Sequence, residues 1–103
     1  MKAVFISFYQ AFHDELIEVF DNLEIRGYTY WDAVKGRGTF NGEPHYGTHT
    51  WPTMNGAILT FIEDDKLQPL MDKIKQLDNS APQQGIRAFV MPAEAIYCPG
   101  VES

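Results

Sequence analysis

The residues whose types and spacing could do chemistry are concentrated between Ala33 and Met54. This stretch holds two of the three histidines and four of the eight glycines, together with two of the eight Lys and Arg residues. Its Gly36-Arg37-Gly38 run could bind an anion, since glycines let backbone N–H groups approach a phosphate closely and an arginine adds a planar charged fork. Taken alone, so short a pattern is more typical of a turn that leaves a strand.

His45 and His49 lie four residues apart in the same stretch and suggest a different chemistry. Imidazole is a common ligand for zinc, copper and nickel. The same hypothesis can draw on Glu43 nearby, and on Cys98 or His13 from another subunit. A spacing of four places two rings on one face only in a helix, and the proline and glycine within this stretch disfavour a helix. Two solvated loop histidines are therefore the simpler interpretation, and metal binding is the alternative.

The stretch shows neither helical nor strand periodicity, which predicts a long loop over residues 35–53. A structureless loop of about 19 residues is uncommon in a small domain and is usually functional or disordered. Phe40, Tyr46 and Trp51 give this one an aromatic content that is not typical of disorder. Since exposed aromatic residues often anchor interfaces, we expect these three to dock a partner protein. The alternative is that the loop folds back onto its own oligomer and buries them there.

The rest of the chain must position this loop, and its periodicity predicts six elements. Continuous or aromatic apolar runs predict strands, and apolar residues at spacings of three and four predict helices. The strands are expected over 2–9, 28–34, 56–62 and 86–91. The first helix is expected from Ala11 to a C-terminal cap at Gly27, and the second from an N-cap at Asp64 to about Leu77, with an irregular segment over 78–85.

This order predicts an α+β ferredoxin-like βαββαβ sandwich, with an antiparallel sheet and two helices on one face. We expect one domain over residues 1–103, with a flexible C-terminal tail at about 98–103. Strands 2–9 and 56–62 are apolar on both faces, so the helix-free face of the sheet is also expected to be buried. No further helix is predicted to cover it. A second copy of the chain is the expected cover, which makes the protein a homo-oligomer.

Composition narrows the possible functions. The net charge of −6 and the pI near 4.8 argue against nucleic-acid binding, which requires a basic surface. The single cysteine, Cys98, excludes an internal disulfide and fits a reducing compartment. The N-terminal apolar run is too short to span a bilayer, so we expect a cytoplasmic protein.

No catalytic motif is present in the sequence, which favours a protein that is not an enzyme. A small ferredoxin-fold enzyme is the third alternative and would need a polar pocket in the sheet face.

Three short motifs and their order resemble those of a known family. They are Ile25-Arg26-Gly27-Tyr28-Thr29, then Val34-Lys35-Gly36-Arg37-Gly38, then Gly85-Ile86-Arg87-Ala88-Phe89-Val90. The chain resembles, over nearly its whole length, a divergent member of the PII signalling proteins, the nitrogen regulatory protein P-II superfamily. The resemblance implies a homotrimer with ligand clefts between subunits. It also implies that a T-loop, here residues 35–53, transmits the binding of an adenine nucleotide or other small effector to a transporter or an enzyme.

The resemblance further implies which residues bind the effector. At the base of the T-loop they are Lys35, Gly36, Arg37, Gly38 and Thr39, and in the B-loop they are Gly85 and Arg87. Where the nucleotide binders of the family have an arginine and a glutamine, this chain has Thr39 and Phe40. Its B-loop reads Pro-Gln-Gln-Gly, and no basic residue follows Arg87. Because basic residues that bind the phosphates in the family are missing here, the sequence argues against ATP binding of the standard kind. The effector is left open between a nucleotide and a divalent transition metal, because the resemblance extends to CutA-like and efflux-associated proteins.

Overall fold

The computed structural model describes residues 1–35, 54–81 and 85–94. Its elements in chain order are β1 (Lys2–Tyr9), a 3-10 turn (Gln10–Phe12), α1 (His13–Asn22), β2 (Tyr28–Val34), β3 (Asn55–Ile62), α2 (Asp64–Ser80) and β4 (Ile86–Pro92). This is the βαββαβ order expected from the sequence, so the predicted fold class is confirmed.

The four strands form one antiparallel sheet in the order β2-β3-β1-β4. The two central strands are β1 and β3, the strands with continuous apolar sequence, and each has a neighbouring strand on both sides. Val4 pairs with Thr60, and Phe8 pairs with Gly56. The register therefore assigns every residue of β1 and β3 to one of two sheet faces.

Both helices pack on the same face of the sheet. The core between the layers is made of alternate residues of β1 and of the apolar stripe of each helix: Val4, Ile6, Phe8, Leu16, Phe20, Leu70 and Ile74. The repeat of three and four residues that predicted α1 is also the spacing of the residues that α1 buries. Leu16 and Phe20 are fully buried, while Val19 and Leu23 are partly buried against the same core.

The predicted cap of α1 at Gly27 is wrong. The helix ends at Asn22, and Glu24 takes the left-handed conformation with φ 58°. The Ile25 N–H donates to the Phe20 carbonyl at 2.8 Å and the Glu24 N–H to the Asp21 carbonyl at 3.1 Å. This is a Schellman ending, in which the residue after the left-handed position contacts the helix. Burial of Ile25, 5 % exposed, fixes the end of the helix before Gly27 is reached.

The predicted ends of α2 also need correction. The helix begins at Asp64 with Glu63 as its N-cap, one residue earlier than expected, and it continues through Ser80. Residues 78–80 are therefore helical rather than irregular. The Asp78 carboxylate accepts a hydrogen bond from the Ile86 N–H at 3.1 Å. This contact joins the last turn of α2 to the start of β4.

The other face of the sheet, here called the open face, carries no helix of the described chain. The register places the following residues on it: Ala3, Phe5, Ser7, Thr29, Trp31, Asn55, Ala57, Leu59, Phe61, Arg87, Phe89 and Met91. Phe61 and Phe89 are 55 % and 56 % exposed. Most of the face is apolar, as expected. The expectation of uniformly apolar strands was wrong at four positions of this face: Ser7, Thr29, Asn55 and Arg87.

Candidate functional site

The end of the sheet at which β1 and β2 finish and β3 and β4 begin is here called the loop end. Tyr9 pairs with Asn55, Phe8 with Ile86, and Val34 with Asn55, so all four strands meet there. Antiparallel neighbours alternate in direction, which brings these termini together. The strand ends that residues 36–53 and 82–84 connect consequently lie at the same end of the sheet, apart from the end of α2. The two segments that the sequence predicts to bind a ligand are thus attached at the same end of the sheet, at its two opposite edges.

Two of the predicted ligand residues flank the loop end from opposite sides. Lys35 is exposed and follows β2, whereas Gly85 is buried and precedes β4. Gly85 has φ 83°, a conformation that a residue with a Cβ adopts only with strain. Since β2 and β4 are the outer strands, three inter-strand spacings separate them, or about 14 Å. Within one chain, these two residues are too far apart to contact the same small ligand.

Gln10 links the two chain segments that flank residues 36–53. Its backbone N–H donates to the Met54 carbonyl at 3.0 Å, and its side-chain Nε2 donates to the Asp32 carbonyl at 2.9 Å. The preceding Tyr9 N–H donates to the Gly85 carbonyl at 3.3 Å. Residues 9 and 10 therefore connect β2, β3 and the start of β4. Sequence reasoning missed Gln10, and the available signal was a polar residue placed directly after an apolar strand.

A polar and aromatic cluster supports the stem on the β2 side. The Tyr30 hydroxyl donates to Asp32 Oδ1 at 2.9 Å. Burial, and then the hydrogen bond to Asp32 and the negative charge of Asp32 and Asp14, raises the pKa of Tyr30 to about 12. The His13 ring stacks on Tyr30 with 4.6 Å between centroids, and its Nδ1 lies 3.1 Å from Asp14 Oδ1. Tyr30 is thus fixed from both sides at the root of the loop.

Many predicted site residues lie outside the residues that the structure describes. They are Gly36, Arg37, Gly38, Thr39, Phe40, Glu43, His45, Tyr46, His49, Trp51 and Cys98. Their roles stay predictions. Of the residues proposed as metal ligands, only His13 lies in the part of the chain that the structure describes. Across residues 1–35, 54–81 and 85–94, no group of three or more His, Cys, Asp or Glu side chains is arranged to hold a metal ion.

Arg87 is the one predicted ligand residue on the open face. It lies opposite Ser7 of β1. The Asn55 side chain, 1 % exposed, donates from Nδ2 to Ser7 Oγ at 3.3 Å. Ser7 and Asn55 were not singled out by sequence reasoning, because a serine and an asparagine in apolar strands show their proximity only after the strands are paired. Together they form a polar patch near the loop end.

A separate groove of about 300 Å³ runs between the two helices on the outside of the molecule. Acidic side chains of α1, including Glu15 and Glu18, line one wall, and Val19 and Leu77 contribute apolar surface. It lies in the helix layer, across the sheet from the polar patch.

Among the described helices, none is both long enough and apolar enough to cross a membrane.

Comparison with solved structures identifies the architecture. The chain superimposes on CPII of Thiomonas intermedia K12, a nitrogen regulatory PII-like protein bound to ADP, AMP and bicarbonate, with a TM-score of 0.70 and 16% identity over 87% of this chain and 82% of that one. The fold is that of the PII-like proteins. The apo form of CPII matches with a TM-score of 0.61 and 16% identity, covering 87% of this chain and 85% of CPII.

The PII-like fold also occurs in a Thermus thermophilus protein described as PII-like signaling. It matches with a TM-score of 0.60 and 19% identity, over 87% of this chain and 83% of that chain. No family model matches the sequence, and no curated protein matches it. The resemblance read from three short motifs is thereby confirmed in the fold, although sequence comparison alone does not detect it.

Proposed function

We propose that this protein is a PII-like regulator: a homo-oligomer that binds a small anionic effector between subunits and signals to a partner protein through residues 35–53. One observation carries the proposal. The PII-like topology anchors the long loop after Lys35 and the Gly85–Arg87 segment at the same end of the sheet, each beside a basic residue. Glycine-containing backbone next to a cation is suited to binding an anion.

The separation of these anchors supports an effector site between two chains. Lys35 and Gly85 are about 14 Å apart across one sheet, which exceeds the reach of direct contacts to a compact ligand. A neighbouring subunit that sets its β4 side against the β2 side of the first would close this gap. The ligand would then contact both subunits and so stabilise their association.

The open face supplies the reason for the subunits to associate. Phe61, Phe89 and Met91 are large apolar side chains close to half exposed or more, and they lie on one side of the sheet. Contiguous exposed apolar surface of this kind marks an interaction site. We assign its cover to other copies of the same chain, arranged as a trimer like that implied by the family resemblance.

Charge and fold support the effector class that we propose. CPII is bound to ADP, AMP and bicarbonate. We propose a nucleotide or a smaller oxyanion for this chain, held without the full set of cations that ATP requires. Residues Phe40, Tyr46 and Trp51 would dock the partner, which we propose is a membrane transporter met from the cytoplasm. The protein is proposed to act by binding and not as an enzyme.

The test is calorimetric titration of the purified protein with ADP, AMP, ATP and bicarbonate. Arg87→Gln should weaken binding of any phosphate-bearing ligand by about ten-fold or more, since a hydrogen bond to a charged group contributes about 1.5–3 kcal/mol. Arg26→Gln is the matched control, because Arg26 is also exposed but lies at the opposite end of the sheet. Absence of binding by every ligand, or equal losses in the two variants, would contradict the proposed site.

Assembly is tested separately by sedimentation. Phe89→Lys should dissociate the oligomer, because a charge at the centre of an apolar interface is costly to desolvate. Val90→Lys is the control, since Val90 is the next residue of the same strand, is 39 % exposed and faces the other side of the sheet. A wild-type monomer at micromolar concentration would refute the proposed assembly.

Metal binding by His45 and His49 remains the alternative function. The same calorimeter can titrate zinc, copper and nickel salts into the wild type and the His45→Ala/His49→Ala double variant. Binding that is lost in the double variant, with no response to nucleotides or bicarbonate, would favour the metal-binding alternative over the regulator.

A further inference from the structure

The polar patch on the open face has an organisation that the sequence did not reveal. Asn55 is essentially buried, and its side-chain amide donates to the hydroxyl oxygen of Ser7. A serine hydroxyl has one proton to donate and two lone pairs that accept. Because Asn55 supplies a donor to that oxygen, the Ser7 proton is directed away from Asn55. Ser7 is only partly buried, so this proton can reach a ligand.

Arg87 adds a charged donor at the same place. It is the cross-strand partner of Ser7, and the Cβ atoms of such partners lie about 4.5–5.5 Å apart. Both side chains project from the open face and can converge on one ligand. A guanidinium has five N–H donors in a planar fork, so a further contact of Arg87 leaves donors for an anion.

The described strands give the open face a positive charge in spite of the acidic composition. Among the strand residues that the register places on this face, Arg87 is the only charged side chain, and there is no Asp or Glu. The neighbouring pair on the same face is Phe5 with Phe89. Apolar neighbours lower the local dielectric response, which strengthens the attraction between a guanidinium and an anion. The carboxylate of Asp32 is on the helix side, where Tyr30 binds it.

We propose that Ser7, oriented by Asn55, and Arg87 form a binding site for a small oxyanion of the carboxylate, bicarbonate or phosphate class. Arg87 binds the charge through two N–H groups, and the Ser7 hydroxyl donates to one anion oxygen. Asn55 is a positioning residue that acts through Ser7. The inference rests on the proposed function, and it adds Ser7 and Asn55, which the family resemblance did not indicate, to Arg87, which it did.

The experiment is an NMR titration of the intact ¹⁵N-labelled protein with sodium bicarbonate, sodium acetate and sodium phosphate at constant ionic strength, with sodium chloride as the reference salt. Saturable shifts should appear at Ser7, Arg87 and their strand neighbours with the oxyanions and not with chloride. Comparison among the three salts identifies which oxyanion the site prefers. Ser7→Ala should weaken binding roughly ten-fold or more, because it removes a hydrogen bond to a charged group.

Three further variants separate this mechanism from a merely structural effect. Ser7→Thr keeps the hydroxyl and should restore most of the affinity. Asn55→Asp has nearly the same shape, but its carboxylate accepts the Ser7 proton and adds a negative charge, so binding should be abolished. Thr29→Ala removes a different hydroxyl from the open face, on β2, and should leave the affinity unchanged.

Two results would overturn the inference: oxyanion affinity unchanged by both Ser7→Ala and Asn55→Asp, or shifts with chloride equal to those with the oxyanions. If ADP still bound in either case, the proposed regulator function would stand without this anion site. Conversely, if no nucleotide bound but oxyanion binding depended on Ser7, the anion site would stand and the nucleotide part of the proposed function would fail.

Discussion

Gly56 offers a direct test of how the sheet is packed beneath the loop end. It lies opposite Phe8, whose ring is fully buried between the sheet and the helices. A Cβ added at Gly56 would lie 2.6 Å from Phe8 Cζ and 2.8 Å from Phe8 Cε2. The optimal separation of two carbon atoms is about 3.5–4.0 Å, so the ring would have to move by about 1 Å.

Moving the Phe8 ring is costly because its surroundings are closely packed. The ring lies 6.5 Å from that of Tyr30, centroid to centroid, and the two are stacked. Adding one methyl group to a packed core typically costs about 1–3 kcal/mol. Alanine also restricts the unfolded chain, which offsets roughly 0.4–1 kcal/mol. We therefore expect Gly56→Ala to lower the free energy of unfolding by about 1–2 kcal/mol, with a Tm decrease of about 4–8 °C per kcal/mol.

The assay is urea denaturation at fixed protein concentration, with Gly27→Ala as the control. A Cβ at Gly27 would meet no atom within 4 Å, so this variant should be neutral or slightly stabilising. In a double-mutant cycle, Phe8→Leu should reduce the cost of Gly56→Ala, because the shorter side chain frees space for the methyl group. Gly56→Ala as stable as wild type, or strictly additive effects in the cycle, would refute the packing argument.

Three other perturbations probe the loop end. Gly85→Ala should cost about 1–2 kcal/mol in urea denaturation because φ is 83° there, and Gly85→Asn should cost less; equal losses would argue against the left-handed backbone. The raised pKa of Tyr30 means that the folded state favours the protonated phenol, so this stabilisation is complete below about pH 10 and is lost as pH rises to about 12. Tyr30→Phe should flatten that part of the stability profile, and an unchanged slope would contradict it. Gln10→Ala removes the bond to the Asp32 carbonyl and should speed amide hydrogen exchange at the β2 stem, whereas unchanged exchange would show that Gln10 does not hold it.

The sequence by itself determined the elements and their class. The apolar run of β1 and the three-and-four spacing of Leu16 and Phe20 are local patterns, and the same residues form the core. Such patterns can be read from the sequence because burying one face of a helix or strand constrains the residues of that segment alone. The helix ends were harder to predict. Gly27 carried the local signal for a cap, but the burial of Ile25, a tertiary contact, ended α1 earlier and put Glu24 in the left-handed conformation.

The tertiary structure alone decided which residues lie together at the loop end. Gln10, Asp32 and Met54 are distant in sequence, and only strand pairing makes one residue the link between both stems of the loop. Ser7, Asn55 and Arg87 come together for the same reason, since cross-strand register and face cannot be read from any one strand. A single polar residue in an apolar strand gives no signal of its partners. The sequence thus determined the layers, and the pairing of the strands determined which side chains meet at the loop end.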